Sequence, residues 1–383
     1  MSINWSKDLI LTRSDALYAA NIFADYFSNF NHITDYYKEV KKETLDKLPT
    51  PMFGMSPGDE FFQSWDMPPN DMNFSLVEVS NEVFRSYLDI TASHPVSDSV
   101  PGRHVKWVVK ETNTNTIVGF IRLGSPVITI KPRNEYLNGI VSAKGPITLA
   151  NFNKHCINGF IIVPTQPFGF NYLGGKLLAG LCCTSEAREF INQRYDMNTC
   201  LFETTSLYGS SKELSQYDGM KPFIRFKGLT QSSFSPLLLG STYHNLCAWF
   251  TEKNNDVRIV DPDASGRKLK TQMRMIAIIK KSLKEHDGNE YNNFITTMKH
   301  SEDLTEQKRF FISEYGYENV PQVIRGEESE LRPKSNFDRF SIKGVTDWWK
   351  NKATKRYNNL KNDGRFRTKL EIWSENSDID IVR

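Results

Sequence analysis

Two polar side chains stand in or beside an apolar run where they could do chemistry: Glu203 inside LFETTSL and Tyr208 just after it. A carboxyl that faces the interior of a sheet is desolvated, which raises its pKa toward the range of a general base. A phenol closing a strand can protonate a leaving group. Both have plainer roles: Glu203 as the solvent side of an alternating strand, and Tyr208 as a packing residue with a satisfied hydroxyl. Upstream lies PTQPFGFNYLGGK, with Gly169, Phe170, Asn171, Gly174, Gly175 and Lys176. Glycines there would let the backbone approach a phosphate, the following helix N-terminus would favour the anion, and Lys176 would add charge. The same glycines serve equally well to pack a helix start against a sheet. Pro167 removes one N–H donor from any such cradle.

These residues need a scaffold. Residues 157–163 form one apolar run and residues 200–207 a second, with a helical stretch between them, so the order reads strand, glycine turn, helix, strand. Before it, 105–110 and 117–123 flank the turn Thr112-Asn113-Thr114-Asn115 as a hairpin, and 127–130 reads as a third strand. After it come a helix or turn at 210–218 and a short strand at 222–226. Residues 14–48 place Leu17, Ile22, Phe23, Tyr26, Phe27 and Phe30 at helical spacing behind the cap Ser14-Asp15. The Pro-, Gly- and Met-rich segment 49–73 is a loop that must still bury Phe53, Phe61, Phe62 and Trp65. Residues 243–250 are apolar enough for strand or helix. The strongest helix opens after Asp261-Pro262-Asp263, with Leu269, Met273, Ile276 and Leu283 on one side. Residues 290–330 read as mixed helix and polar loop. The fold expected is α/β, a mixed and mostly antiparallel central sheet with flanking helices and helical additions at both ends. It divides into an N-terminal region (1–100), a core (101–260) and a basic helical region (261–383).

The 383 residues carry a net charge of only +3, too little to name a partner, but the charge is unevenly spread. Residues 341–370 hold nine Lys/Arg against two Asp, and a second cluster contains Arg267, Lys268, Lys270 and Arg274. In DWWKNKATKRYNNLKNDGRFRTKLEIW aromatic and basic residues interleave. Trp348, Trp349, Ala353 and Tyr357 could anchor a helix while Lys350, Lys352, Lys355 and Arg356 meet phosphates, with Arg365 and Arg367 beyond. A solvated basic face on a docked helix is the plainer reading. The five cysteines (Cys156, Cys182, Cys183, Cys200 and Cys247) form no CxxC pair, and with His104 and His155 they offer no metal-ligand spacing, so no metal is expected. Their apolar contexts suggest reduced thiols in a cytoplasmic protein. No stretch approaches eighteen apolar residues, so membrane spanning is not expected. No GxSxG, P-loop or HExxH motif points to a classical hydrolase, NTPase or zinc protease.

The passages VGFIRLGSP, NGFIIVP and CLFETTSLYG, in that order around the glycine turn, resemble the core of the GNAT acyltransferases. In that fold a sheet splays apart between two central strands, and the cofactor pyrophosphate sits on the turn between them. Within that superfamily, NYLGGKLLAGLCCTSEAREFINQRY followed by TTSLYGSSKELSQYDGM resembles the DruA-like family, named for an anti-phage defence component. The resemblance covers roughly residues 100–230. It implies a phosphate-bearing donor such as acyl-CoA on the turn, and a bacterial host cytoplasm. The turn departs from the acyl-CoA pattern, since Gln166-Pro167-Phe168-Gly169-Phe170-Asn171 lacks regularly spaced glycines.

Three functions follow as expectations. The first is a transferase modifying bases of phage DNA, with Glu203 or Tyr208 handling the proton and Arg267, Lys270, Arg274, Lys350, Lys355, Arg356, Arg365 and Arg367 holding the nucleic acid. The second is a DNA-binding component of defence or counter-defence that has lost donor binding. The third is a small-molecule or protein N-acyltransferase, indifferent to DNA.

Overall fold

The computed structural model describes residues 9–45, 60–92, 102–206, 215–231, 236–264, 267–304, 307–374 and 377. In chain order the strands are β1 (Phe74–Glu78), β2 (His104–Glu111), β3 (Thr116–Gly124), β4 (Val141–Ser142), β5 (Ile147–Thr148), β6 (Cys156–Pro164), β7 (Leu201–Thr205), β8 (Arg225–Leu229) and β9 (Arg309–Ser313). The helices are α1 (Arg13–Ser28), α2 (Ile33–Leu45), α3 (Asn81–Thr91), α4 (Lys131–Tyr136), α5 (Leu149–His155), α6 (Phe168–Tyr172), α7 (Gly174–Leu181) and α8 (Ser185–Tyr195). They continue with α9 (Gly240–Lys253), α10 (Arg267–His286), α11 (Gly288–Asp303), α12 (Val320–Arg325) and α13 (Ile342–Asn362).

Seven strands form one sheet in the order β1-β2-β3-β6-β7-β9-β8, and β4 pairs with β5 apart from it. Every neighbour in the large sheet is antiparallel except β6–β7. That pair is parallel because α6, α7 and α8 carry the chain back across the sheet between its strands. The two strands stay paired only from Cys156↔Leu201 to Gly159↔Thr204. Beyond that, β6 continues along β3 to Gly119↔Pro164, while β7 follows β9 to Thr205↔Phe310. The sheet therefore parts between β6 and β7 at their carboxyl ends.

Apolar burial explains the rest. The sheet, α6–α8 and α13 share one core containing Trp107, Phe168, Tyr172, Phe202, Phe311 and Trp349. A second cluster joins α1 to α9, α10 and α11 through Phe23, Phe27, Phe250, Ile279 and Phe294. Gly119 shows how tightly β3 meets the end of β6. A Cβ there would lie 2.5 Å from Leu178 Cδ2, 2.8 Å from Val163 O and 2.9 Å from Pro164 Cα. Two of those atoms are backbone and cannot swing away. Gly119→Ala is expected to cost about 1–3 kcal/mol, read as a lower denaturant midpoint at unchanged m-value.

Several sequence expectations need correction. The helix over 14–48 is two helices, broken where Asp35 Oδ2 accepts from His32 N at 3.1 Å. Its cap is Thr12, whose hydroxyl accepts from Asp15 N. Residues 127–130 are not a strand, because the carbonyls of Val127 and Ile128 turn to accept from the Arg133 guanidinium instead of a neighbouring strand. The strand placed at 222–226 begins at Arg225, since residues 221–223 are a turn. Residues 243–250 are helical, within α9. On α10, Ile276 and Leu283 are buried as expected, but Leu269 and Met273 are exposed, and the buried side is completed by Met275, Ile278 and Ile279. The stretch 290–330 contains β9, an almost wholly buried inner strand. In the loop before β1, Phe61 and Phe62 are buried and Trp65 packs against the core, whereas Phe53 lies outside the described residues.

Candidate functional site

The glycine turn follows β6 where the sheet parts. The Gln166–Pro167 peptide is cis, and α6 begins directly after it. Three of the turn's amides already have acceptors. Gly169 N donates to Thr165 O at 2.8 Å, Asn171 N to Pro167 O at 2.8 Å, and Phe170 N to the Gln166 side-chain oxygen at 3.1 Å. Gly174 and Gly175 are buried, and added Cβ atoms would strike Phe168 and Pro164 in one case and Gln216 in the other. Lys176 donates its ammonium to the carbonyls of Gln216, at 2.9 Å, and Asp218. Gly169, Phe170 and Asn171 thus spend their amides, and Lys176 its ammonium, on acceptors within the protein, while Gly174 and Gly175 pack tightly against their neighbours.

Glu203 is completely buried on β7, paired with the equally buried Arg133 at 3.1 Å. The buried Cys156 thiol neighbours its carboxyl, and the Phe152 ring lies 4.3 Å from the guanidinium. Burial pushes the Glu203 carboxyl up to about 7, against the opposing pull of Arg133. Arg133 also donates to Val127 O at 2.6 Å and to Ile128 O, while its buried Nε has no hydrogen-bond partner. The Arg133–Glu203 pair thus ties α4 and its preceding segment to β7. Tyr208 lies outside the described residues.

The C-terminal basic segment reaches this turn. α13 packs on α6 and α7, with Trp349, Ala353 and Tyr357 buried, as their spacing requires; the Trp349 indole donates to Tyr172 O at 2.8 Å. Phe170 sits against two guanidinium groups, Arg367 at 4.0 Å and Arg356 at 4.7 Å from its ring centroid. Arg356 also donates to Phe170 O, and the Asn171 side chain exchanges two hydrogen bonds with the Arg367 backbone. Glu371 N closes the strap on Gln166 O at 3.0 Å. Arg356 is pushed below its ordinary pKa by burial and then by the nearby Arg365 and Arg367 charges. Lys176 is shifted the same way, by burial and then by Lys352. Lys176 and Lys352, and Arg356 with Arg365 and Arg367, thus form a basic strip beside Phe170, in which Arg365 pairs with Asp363 at 2.5 Å and Arg367 with Glu371 at 3.2 Å.

Not every expected contact joins it. Lys350 lies on the helix flank away from Lys355, roughly 140° around the axis. Arg267, Lys270 and Arg274 belong to α10, which packs in the other core cluster with α1 and α11. Two residues of the site escaped sequence reading. Arg133 was hidden because its partner lies on a distant strand. Arg339 precedes α13 and lines a cleft with Trp348, Lys352 and Lys355. Trp348 is only partly buried there, which the helical spacing from Gly344 through Trp348, Lys352 and Lys355 could have signalled. His155 hydrogen-bonds Asn151 O at 2.8 Å through its ring, and among the described residues no three His, Cys, Asp or Glu side chains converge on a metal position.

Residues 30–216 match the family model of Druantia protein DruA. The match supports the DruA-like resemblance over somewhat under half of the chain, and reaches farther toward the N-terminus than the motifs themselves suggested. No curated protein and no solved structure gave a match. The DruA match takes in β1–β7, the glycine turn, Arg133 and Glu203, and ends before β8. α13 and the strap lie outside it, so the cationic strip joins Phe170 and Lys176 of the DruA-matching stretch to residues beyond it. No helix among the described residues is long and apolar enough to cross a membrane.

Proposed function

We propose that this chain is a nucleic-acid-binding component of a Druantia-type anti-phage defence, built on a GNAT-like sheet whose donor turn is closed by its own C-terminal segment. The DruA similarity suggests the defence role. Support for the GNAT-like core comes from the parallel β6–β7 pair that parts at the turn. One observation favours binding over donor chemistry: the amides of Gly169, Phe170 and Asn171 are held by protein acceptors, while Arg356 and Arg367 lie against Phe170 beside them. Arg365 is near Arg356, Arg365 pairing with Asp363 and Arg367 with Glu371. Clustered guanidinium groups next to an aromatic ring suit phosphates and bases. The test is DNA affinity of the whole protein across a salt series; an affinity that does not fall with salt would end this reading.

A transferase acting on DNA bases is the second reading, favoured by the splayed strands and by the desolvated Glu203. In it the proton is handled by Glu203 or Tyr208, and a phosphate-bearing donor such as acyl-CoA enters once the strap is displaced. Nucleoside mass spectrometry on DNA and RNA from expressing cells decides it. A new mass that disappears with Tyr208→Phe supports a transferase, and unchanged nucleosides together with retained DNA affinity support the binding role.

A further inference from the structure

The exposed side of α13 carries a shallow cleft that shares Lys352 with the strip around Phe170 and is otherwise lined by other residues. Arg339, Trp348, Asn351, Lys352 and Lys355 line it, so three cations surround one indole. Asp347, the acid at its rim, is engaged by Lys343 at 2.6 Å. The indole is braced edge-on by Phe223, with centroids 5.2 Å apart and planes at 72°. The Lys352 ammonium hovers 5.4 Å from the indole centroid. Lys352 is exposed and flexible, so it can swing to a phosphate and leave an indole face to a base.

We infer that this cleft binds single-stranded nucleic acid, with a base stacked on Trp348 and the backbone held by Arg339, Lys352 and Lys355. The inference rests on the nucleic-acid reading above and narrows its ligand. In a duplex the base faces are stacked on one another, and a half-buried indole set between lysines meets only backbone. A single strand can lay a base on the ring while its phosphates reach the cations on either side. Asn351, one helical turn from Trp348, offers both a donor and an acceptor to a base edge.

The experiment uses the full chain with a labelled oligothymidylate of about 15 nucleotides and a duplex of matched length, at several salt concentrations. Wild type is expected to prefer the single strand. Trp348→Leu keeps an apolar contact for Phe223 but removes the π face, and should weaken single-strand binding roughly ten- to hundred-fold while sparing duplex binding. Its salt dependence should stay that of wild type, because stacking releases no counterions. Trp348→Phe should restore most of the affinity. Lys352→Gln/Lys355→Gln should weaken binding and also flatten the salt dependence. Equal single-strand and duplex affinity, or an unchanged single-strand affinity in a folded Trp348→Leu, overturns the single-strand assignment and leaves nucleic-acid binding standing. No salt-dependent binding of either oligonucleotide removes both.

Discussion

Replacing Arg133 with methionine is expected to cost about 3–5 kcal/mol of folding stability, the scale found when one partner of a buried pair is removed. The guanidinium is wholly buried and serves Glu203, Val127 O and Ile128 O at once. Methionine fills much of the volume but leaves two carbonyls without their donor and a carboxyl without its counter-charge. The carboxyl then has to take a proton. Glu203→Gln should be milder below about pH 7, where the raised Glu203 carboxyl is largely protonated and glutamine copies it in shape and charge. Replacing both partners with apolar residues should recover part of the Arg133→Met loss, since a buried pair gains little over well-packed hydrophobes. Denaturant titration of the three variants reads all of this, and a cost below about 1 kcal/mol for Arg133→Met would show that the pair does not hold the core together.

The same pair fixes a pH dependence. Glu203 is raised from an ordinary value of 4.5 to about 7. A group raised in the folded state contributes stability that is fully present below its unfolded value and lost as pH rises through the folded one. Wild type should therefore lose stability between pH 4.5 and about 7, on the order of 3 kcal/mol in all. Glu203→Gln should lack this component, so its penalty relative to wild type should shrink as pH rises. A penalty that grows with pH would mean that Arg133 keeps the carboxylate charged throughout.

How much of this was legible in the sequence depended on how far apart the partners lie. The β2–β3 hairpin and β6 were legible because their signals are local: alternation, a Thr-Asn turn, an apolar run stopped by Pro164. β9 was not, because RFFIS is short, lies among polar residues and becomes a strand only between β7 and β8. Residues 127–130 looked like a strand by propensity, yet Arg133 takes their carbonyls, and no composition rule reports that competition. At the site, the types of residue were legible and their use was not. From its strand alone Glu203 read equally as an inward, desolvated carboxyl or as a solvent-facing residue, and its partner Arg133 is seventy positions away in sequence. The glycines of the turn read equally as cradle or packing, and only the positions of Phe168, Gln216 and the strap at residues 366–371 distinguish the two. Of the four anchors read from the helical spacing of α13, Trp349, Ala353 and Tyr357 are buried and Trp348 is only partly so, and the same periodicity separates Lys350 from Lys355.

Neutralising the cationic strip should produce the largest functional effect. Lys352→Gln, Arg365→Gln and Arg367→Gln, with Lys355→Gln from the adjoining Trp348 cleft, keep most of each side-chain stem and leave Arg356 in place against Phe170. Each lost phosphate contact should reduce the slope of log affinity against log salt by about 0.7 on a single strand or 0.9 on a duplex, roughly three units for the set. Near physiological salt this corresponds to an affinity on the order of a hundred-fold weaker. The matching change on α10, Arg267→Gln/Lys270→Gln/Arg274→Gln, is the internal control, because that helix packs in a different core cluster from α13. If only the strip carries the nucleic acid, the α10 variant keeps the wild-type slope. If both sets lower it, the ligand spans both basic elements. An unchanged slope in the strip variant, with the protein folded, would exclude Lys352, Lys355, Arg365 and Arg367 as phosphate contacts and with them the proposed binding surface.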